Sequence, residues 1–429
     1  MPSGVKGAVG RETTIEGLGR PGDRLQPVDI PAMPFNVDSS ALKSIRVLDL
    51  SRVRAGPTCV RMLADFGADV LKVESPPGVD PNDGMSGDRD GYDMQNLHRN
   101  KRSITLNLKT YAGREIFMKM VSTADVVVEN YRPDVKFRLG VDYESLSRVN
   151  PRIILASISG FGQDGPYVKR PGFDQIAQGM GGLMSITGMP GQGPVRAGIA
   201  VADSSAGLYA ALGIFIAIIE RQTSGRGQWV QSSLLQAMIA MCDFQAARYL
   251  MTGEVPPQAG NDHPTSTPMG VFKASDGYFN IGASGNAQYK TLCEVLGRAD
   301  LSDHPDYQNN AGRYRDRPRI NAELNRDFAA NTTAYWVTKL NDAGVPCGPI
   351  YNMKEVFDDE QVKHLGAAAT VTHPTLGDIR VVSQPVKLSR TPAAVSYTLP
   401  PQGSNNQEVL AGLGYSEEQI AALKRDNVI

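Results

Sequence analysis

The sequence predicts an α/β protein built on a parallel sheet. Three observations carry that expectation. Short apolar segments alternate with helical ones from Ile45 to Ser159. The short segments are rich in Val, Ile and Leu, as in strands covered on both faces. Their spacing leaves room for a crossover helix between successive strands.

The elements follow in order. Ile45–Leu50 (IRVLDL) and Asp69–Glu74 (DVLKVE) read as strands, with a helix over Pro57–Phe66 between them, its proline near the first turn. Ile104–Leu108 is strand-like. Tyr111–Val121 is helical, Asp125–Glu129 (DVVVE) is a strand, Tyr143–Val149 a short helix and Ile153–Ser159 a strand. Long helices are expected over Ser204–Arg221 and Ser232–Met251, and a polar–apolar helix over Leu413–Asn427. Residues 1–40 are rich in Pro and Gly and read as an extended arm. Residues 41–235 form the first part of a large domain and 236–269 a helix and linker. Residues 270–360 form a small domain with its own strand and helix signals. Residues 361–429 are expected as a return linker and the C-terminal part of the large domain.

Composition narrows the function. Of 429 residues 41% are hydrophobic and 21% charged, and the formal net charge is -1. No basic excess points to nucleic acid or an anionic membrane. The longest apolar run, Leu208–Ile219, falls short of the ~20 residues of a membrane helix. The first forty residues lack an apolar targeting segment. Cys59, Cys242, Cys293 and Cys347 are far apart, and the five histidines show no ligand spacing, so no metal is expected and a cytoplasmic location fits. No phosphate-loop or dinucleotide glycine pattern and no G-x-S-x-G is present.

In parallel sheets ligands sit beyond the carboxyl ends of the strands. That points to Ser51–Ala55, Ser75, Asn130–Arg132 and Gly160–Phe161. Asp203 stands at the mouth of an apolar run, followed by Ser204, Ser205, Ala206 and Gly207. It fits a helix N-cap. That is the first reading on sequence alone; a nucleophile is compatible with it, since an ionised carboxylate in a dry pocket forms acyl intermediates. Arg99, Lys101 and Arg102 form a basic turn, either solvated or a phosphate contact joined by Arg52, Arg54 and Arg138. Cys347 reads as a packed turn residue.

Several segments together resemble the class III CoA-transferases, the group that includes formyl-CoA:oxalate CoA-transferase, carnitine CoA-transferase and the α-methylacyl-CoA racemases. They include 47-VLDLSRVRAGP-57, 100-NKRSITLNLK-109, 125-DVVVENYRP-133, 153-IILASISGFGQDGP-166, 198-GIAVADSSAGLYA-210 and 344-GVPCGPIYNMKEVF-357. The resemblance implies a Rossmann-like large domain, a smaller α+β domain joined by long linkers, and an interlocked homodimer. It implies that Asp203, in 202-ADSSAG-207, is the nucleophile. It implies CoA or acyl-CoA as substrate, with no tightly bound cofactor and no metal. CoA contacts carry over onto Arg54, Ala55, Lys101, Asn130, Tyr131 and Arg138. Ser75 replaces an adenine-side arginine, for which Arg99 or Arg102 could substitute. The loop 259-AGNDHPTSTP-268, with His263, occupies the place of the family's glycine loop over the active site. Racemases of the group carry a histidine before an acid where this chain reads 172-GFD-174. Phe173 cannot take a proton, which favours transfer, and Phe173 and Asp174 are expected at the substrate. Arg196 is expected to clamp the distal carboxylate of a dicarboxylic acid, unless it pairs with a loop acid.

Overall fold

The computed structural model describes residues 39–80, 85 and 87–429, so the predicted arm lies outside the described residues apart from Ser39 and Ser40. The large sheet holds six parallel strands: β1 (Arg46–Asp49), β2 (Asp69–Glu74), β3 (Arg102–Thr105), β4 (Val126–Glu129), β5 (Ile154–Ser159) and β6 (Trp229–Ser233). Their order is β3-β2-β1-β4-β5-β6. The order reverses between β1 and β4, and this opens a crevice at the carboxyl ends of those two strands.

The strands read as continuous apolar runs because both faces are covered. The helices that position the site are α1 (Ala55–Asp65), α2 (Tyr92–His98), α3 (Tyr111–Val121), α4 (Pro133–Leu139), α5 (Tyr143–Val149), α6 (Asp174–Met180), α7 (Leu183–Ile186), α8 (Val201–Ser224), α9 (Leu234–Met241) and α10 (Asp243–Thr252). On one face Leu63 of α1, Ala206 and Ile214 of α8 and Met238 of α9 pack on Val47, Val126 and Ile154. On the other, Phe117 of α3 and Leu146 of α5 join Leu410 and Leu423 from the C-terminal helices over Leu48, Val127 and Leu155. The chain therefore returns to the large sheet at its end.

Between these passes an antiparallel sheet, β7 (Met269–Lys273), β8 (Tyr278–Gly282) and β9 (Cys347–Pro349), carries its own core of Phe272, Phe279, Phe328 and Trp336. A hairpin, β10 (Ala368–His373) with β11 (Gly377–Val382), follows.

Three expectations change. Strand β6 pairs with β5 where a helix was expected to start, because Ser233 ends the strand and caps α9 through the Gln236 N–H. The single helix expected over Ser232–Met251 breaks at Asp243, whose φ of 41° lies in the left-handed region. Helix α8 is 24 residues, longer than the apolar run suggests, and by length and composition it could cross a membrane. Here Ala202, Ala206, Ala210 and Ala217 bury one of its faces against α1 and the sheet.

Candidate active site

The strand ends line one cleft of about 1160 Å³. Arg52, Arg54 and Ala55 come from the turn after β1, Glu74 and Ser75 from β2, Leu106 and Lys109 from β3, Asn130–Arg132 from β4, and Gly160 and Phe161 from β5. Asp203 reaches the same cleft from the first turn of α8. The approach of α8 to α1 needs a glycine: a Cβ on Gly207 would stand 2.4 Å from the Ala55 carbonyl oxygen. The cleft gathers nine cationic side chains against three carboxylates, in a chain of net charge -1. Such a cleft attracts a polyanion. Arg54 bonds Asp93 at 2.6 Å, Arg89 grips both oxygens of Glu74 at 3.0 Å, and Arg52 pairs with Asp80.

Asp203 is not the cap of α8. The helix starts at Val201, and the Asp174 carboxylate does the capping from α6: it accepts the Ala202 N–H at 2.8 Å and the Asp203 N–H at 3.4 Å. Gln178 and Arg196 bond the other oxygen of Asp174 at 2.7 and 3.5 Å. Burial pushes the Asp203 carboxyl up to about 6, the negative charge of Asp174 adds to the rise, and Arg54 opposes it. Desolvation and a like charge thus outweigh the stabilising effect of a helix start. The product is a carboxylate that is mostly ionised at neutral pH and more basic than an ordinary one. That combination suits a nucleophile.

The other predicted residues divide. Arg54, Asn130, Tyr131, Arg138 and Phe173 line the cleft. Ala55 lines it too, buried as the first residue of α1. Burial raises the Tyr131 hydroxyl to about 12, and the Arg52 guanidinium lies 5.4 Å from its ring centre. Arg138 is exposed and 3.5 Å from Asp134.

Asp174 apart, five predicted residues lie outside the cleft lining. Lys101 has no exposed surface; its Nζ bonds Asp49 at 2.8 Å and lies 3.2 Å from His98 Nδ1. Arg99 pairs with Asp65 at 2.7 Å, and Arg102 with Asp69 at 2.6 Å and Glu408 at 2.9 Å. The basic turn is therefore internal, closed over by the C-terminal segment, and none of the three lines the cleft. Arg196 also lies outside the lining and takes its alternative role, paired with Asp174. His263 stacks on Phe244, ring centres 5.8 Å apart, away from the cleft lining. Its loop is held to the small domain: Asn310 bonds Thr265 and Thr267, Arg313 bonds the Thr267 carbonyl, and Arg317 bonds that of His263.

Lys72, Arg89, Lys109, Arg114 and Arg170 line the cleft and were missed. The strand-end rule, applied to the end of β3, would have found Lys109. Cys347 is a packed thiol in β9, raised by burial, so no thiolate competes with Asp203 there.

The model of CoA-transferase family III matches residues 42–406. The succinyl-CoA–D-citramalate CoA-transferase of Chloroflexus aurantiacus is 36% identical over 90% of this chain and 98% of its own length. The succinate–glutarate CoA-transferase of Agrobacterium fabrum is 38% identical over 87% and 95%. A CaiB/BaiF family protein of Brucella suis superposes with a TM-score of 0.76 at 34% identity, covering 87% of this chain and 100% of that one.

Proposed function

The chain belongs to CoA-transferase family III, and from that premise we propose that it moves CoA from a dicarboxylyl-CoA, succinyl-CoA foremost, to a free carboxylic acid through Asp203. The observation that carries the reading is the raised Asp203 carboxylate on the wall of a cationic cleft.

An Asp203 oxygen attacks the donor thioester carbonyl. The C–S bond breaks, giving a mixed anhydride and CoA thiolate. The thiolate attacks the aspartyl carbonyl, forms a β-aspartyl-CoA thioester and releases the donor acid. The acceptor carboxylate attacks that thioester, and the freed thiolate takes the acceptor acyl group, restoring Asp203. Every step exchanges one activated acyl group for another, so no ATP, metal or bound cofactor is required. The half-buried setting of Asp203 limits the access of water to the anhydride. Lys109 follows β3, Arg114 lies in α3 and Arg138 in α4; all three line the cleft and suit the CoA phosphates. The loop from Arg170 to Phe173, which also lines the cleft, suits the acyl end. The dicarboxylate preference draws on the two transferases above, both named for dicarboxylates.

We also propose the interlocked homodimer. Leu212 and Ile216 of α8, with Leu250 and Met251 of α10, are 54–85% exposed. Apolar patches of that kind mark interfaces.

The test is a transfer assay on the species recovered by size exclusion, expected at twice 46.2 kDa. Succinyl-CoA is offered with glutarate, D-citramalate, oxalate, formate and short monocarboxylates. CoA should appear on dicarboxylates at least tenfold faster than on monocarboxylates. Hydrolysis alone, or solvent deuterium entering the α-carbon without transfer, would count against the reading.

A further inference from the structure

The turn after β1, which carries Arg52 and Arg54 into the cleft, is held by side chains from three strands. Asp49 accepts the Ser51 N–H at 2.9 Å and the Ser51 hydroxyl at 2.5 Å. Lys72 donates to the Ser51 carbonyl at 3.2 Å. Asn130, from the other side of the crevice, accepts the Arg52 N–H at 2.8 Å and donates to the Arg52 carbonyl at 2.7 Å. All four backbone polar groups of Ser51 and Arg52 are thus bonded to buried or half-buried side chains.

The next residue shows what this grip opposes. Val53 has φ of 64°, the left-handed region. A β-branched side chain there is strained, by roughly 1–3 kcal/mol. Without the grip, the turn would relax toward ordinary backbone angles and swing the two arginines. The floor beneath is filled: a Cβ on Gly56 would stand 2.2 Å from the Ser51 Cβ and 3.3 Å from the Asn130 Cγ. Arg54 is close enough to Asp203 to oppose the rise of its carboxyl.

We infer that Asn130 is a positioning residue: it clamps the strained Arg52–Val53 turn so that Arg52 and Arg54 face the CoA ester beside Asp203. The inference rests on the CoA-transferase reading and replaces the expected direct contact of Asn130 with CoA. The clamp fixes a preformed cationic rim, so the arginines need no ordering when the ester arrives.

A double-mutant cycle decides between clamp and contact. Glycine adopts the left-handed conformation without strain. Asn130→Ala should therefore raise KM for succinyl-CoA at least tenfold in the parental protein, but less than threefold in the Val53→Gly background. The change in kcat at saturation should be smaller than that in KM. An equal rise in both backgrounds would mean direct contact and overturn the inference. If Asn130→Ala fails to fold, two single substitutions carry the test. Val53→Gly should unfold at a higher temperature than Val53→Ala, the reverse of their order at ordinary backbone angles. Val53→Ala melting higher would remove the strain and the inference with it. Failure of the parental protein to bind any CoA ester would instead sink the functional reading.

Discussion

Asp203→Asn gives a folded protein that transfers CoA about 10⁶-fold more slowly than the parent, the scale of loss measured when a hydrolase nucleophile is removed. The amide keeps the shape of the side chain but has no anionic oxygen to take the acyl group. The same variant should be more stable at neutral pH. The folded-state carboxyl lies near 6 and its ordinary value is 3.8. The folded protein therefore holds the Asp203 proton to higher pH than the unfolded chain does. Ionising Asp203 costs the fold nothing below about pH 4, and the full cost is present above about pH 6. Allowing for partial solvation, that cost is about 1–2 kcal/mol. Thermal unfolding of parent and variant should coincide at pH 4 and separate as pH rises, with the variant higher. A variant that melts below the parent at pH 8 would contradict the assigned environment.

Substitution of Asp174 gives the second large effect, and two variants separate its two jobs. Asp174→Asn retains an oxygen to accept the Ala202 N–H but removes the charge that helps raise the Asp203 carboxyl. The acid limb of kcat/KM, expected near pH 6 in the parent, should move to lower pH, and the rate at neutral pH should fall about tenfold as the nucleophile becomes less basic. Asp174→Ala also loses the cap of α8, which should cost a further 1–2 kcal/mol or so of stability. An acid limb unmoved in Asp174→Asn would show that the two carboxylates do not communicate.

The fold is legible in the sequence where local chemistry and tertiary packing agree. Helix α3 runs over Tyr111–Val121 as expected, and β2 over Asp69–Glu74. At β6 the two diverge, because the apolar run after Ser233 suggests a helix that starts at Ser232. Pairing of Trp229–Ser233 with β5 overrides that preference, and no local signal marks it. At the cleft, the strand-end residues Arg54, Asn130 and Tyr131 line the wall where the strand-end rule puts them, and Asp203, singled out by its place before an apolar run, lines it from α8. The basic turn Arg99–Arg102 misled for a definite reason. A cluster of cations reads as a surface, but its partners Asp49, Asp65 and Glu408 lie 34 to 306 residues away in sequence. Such pairs are invisible until the chain folds. Asp174 was named as a substrate residue, yet its hydrogen bonds show a carboxylate committed to α8. Distance along the chain hid that too, since it acts on backbone 28 residues later.

The most direct test is chemical trapping of Asp203. The protein is incubated with succinyl-CoA and hydroxylamine, digested, and its peptides weighed by mass spectrometry. Attack on the activated aspartyl carbonyl should leave a hydroxamate on the peptide containing Asp203, only when the CoA ester is present. Steady CoA transfer with that peptide unmodified would contradict the covalent role of Asp203.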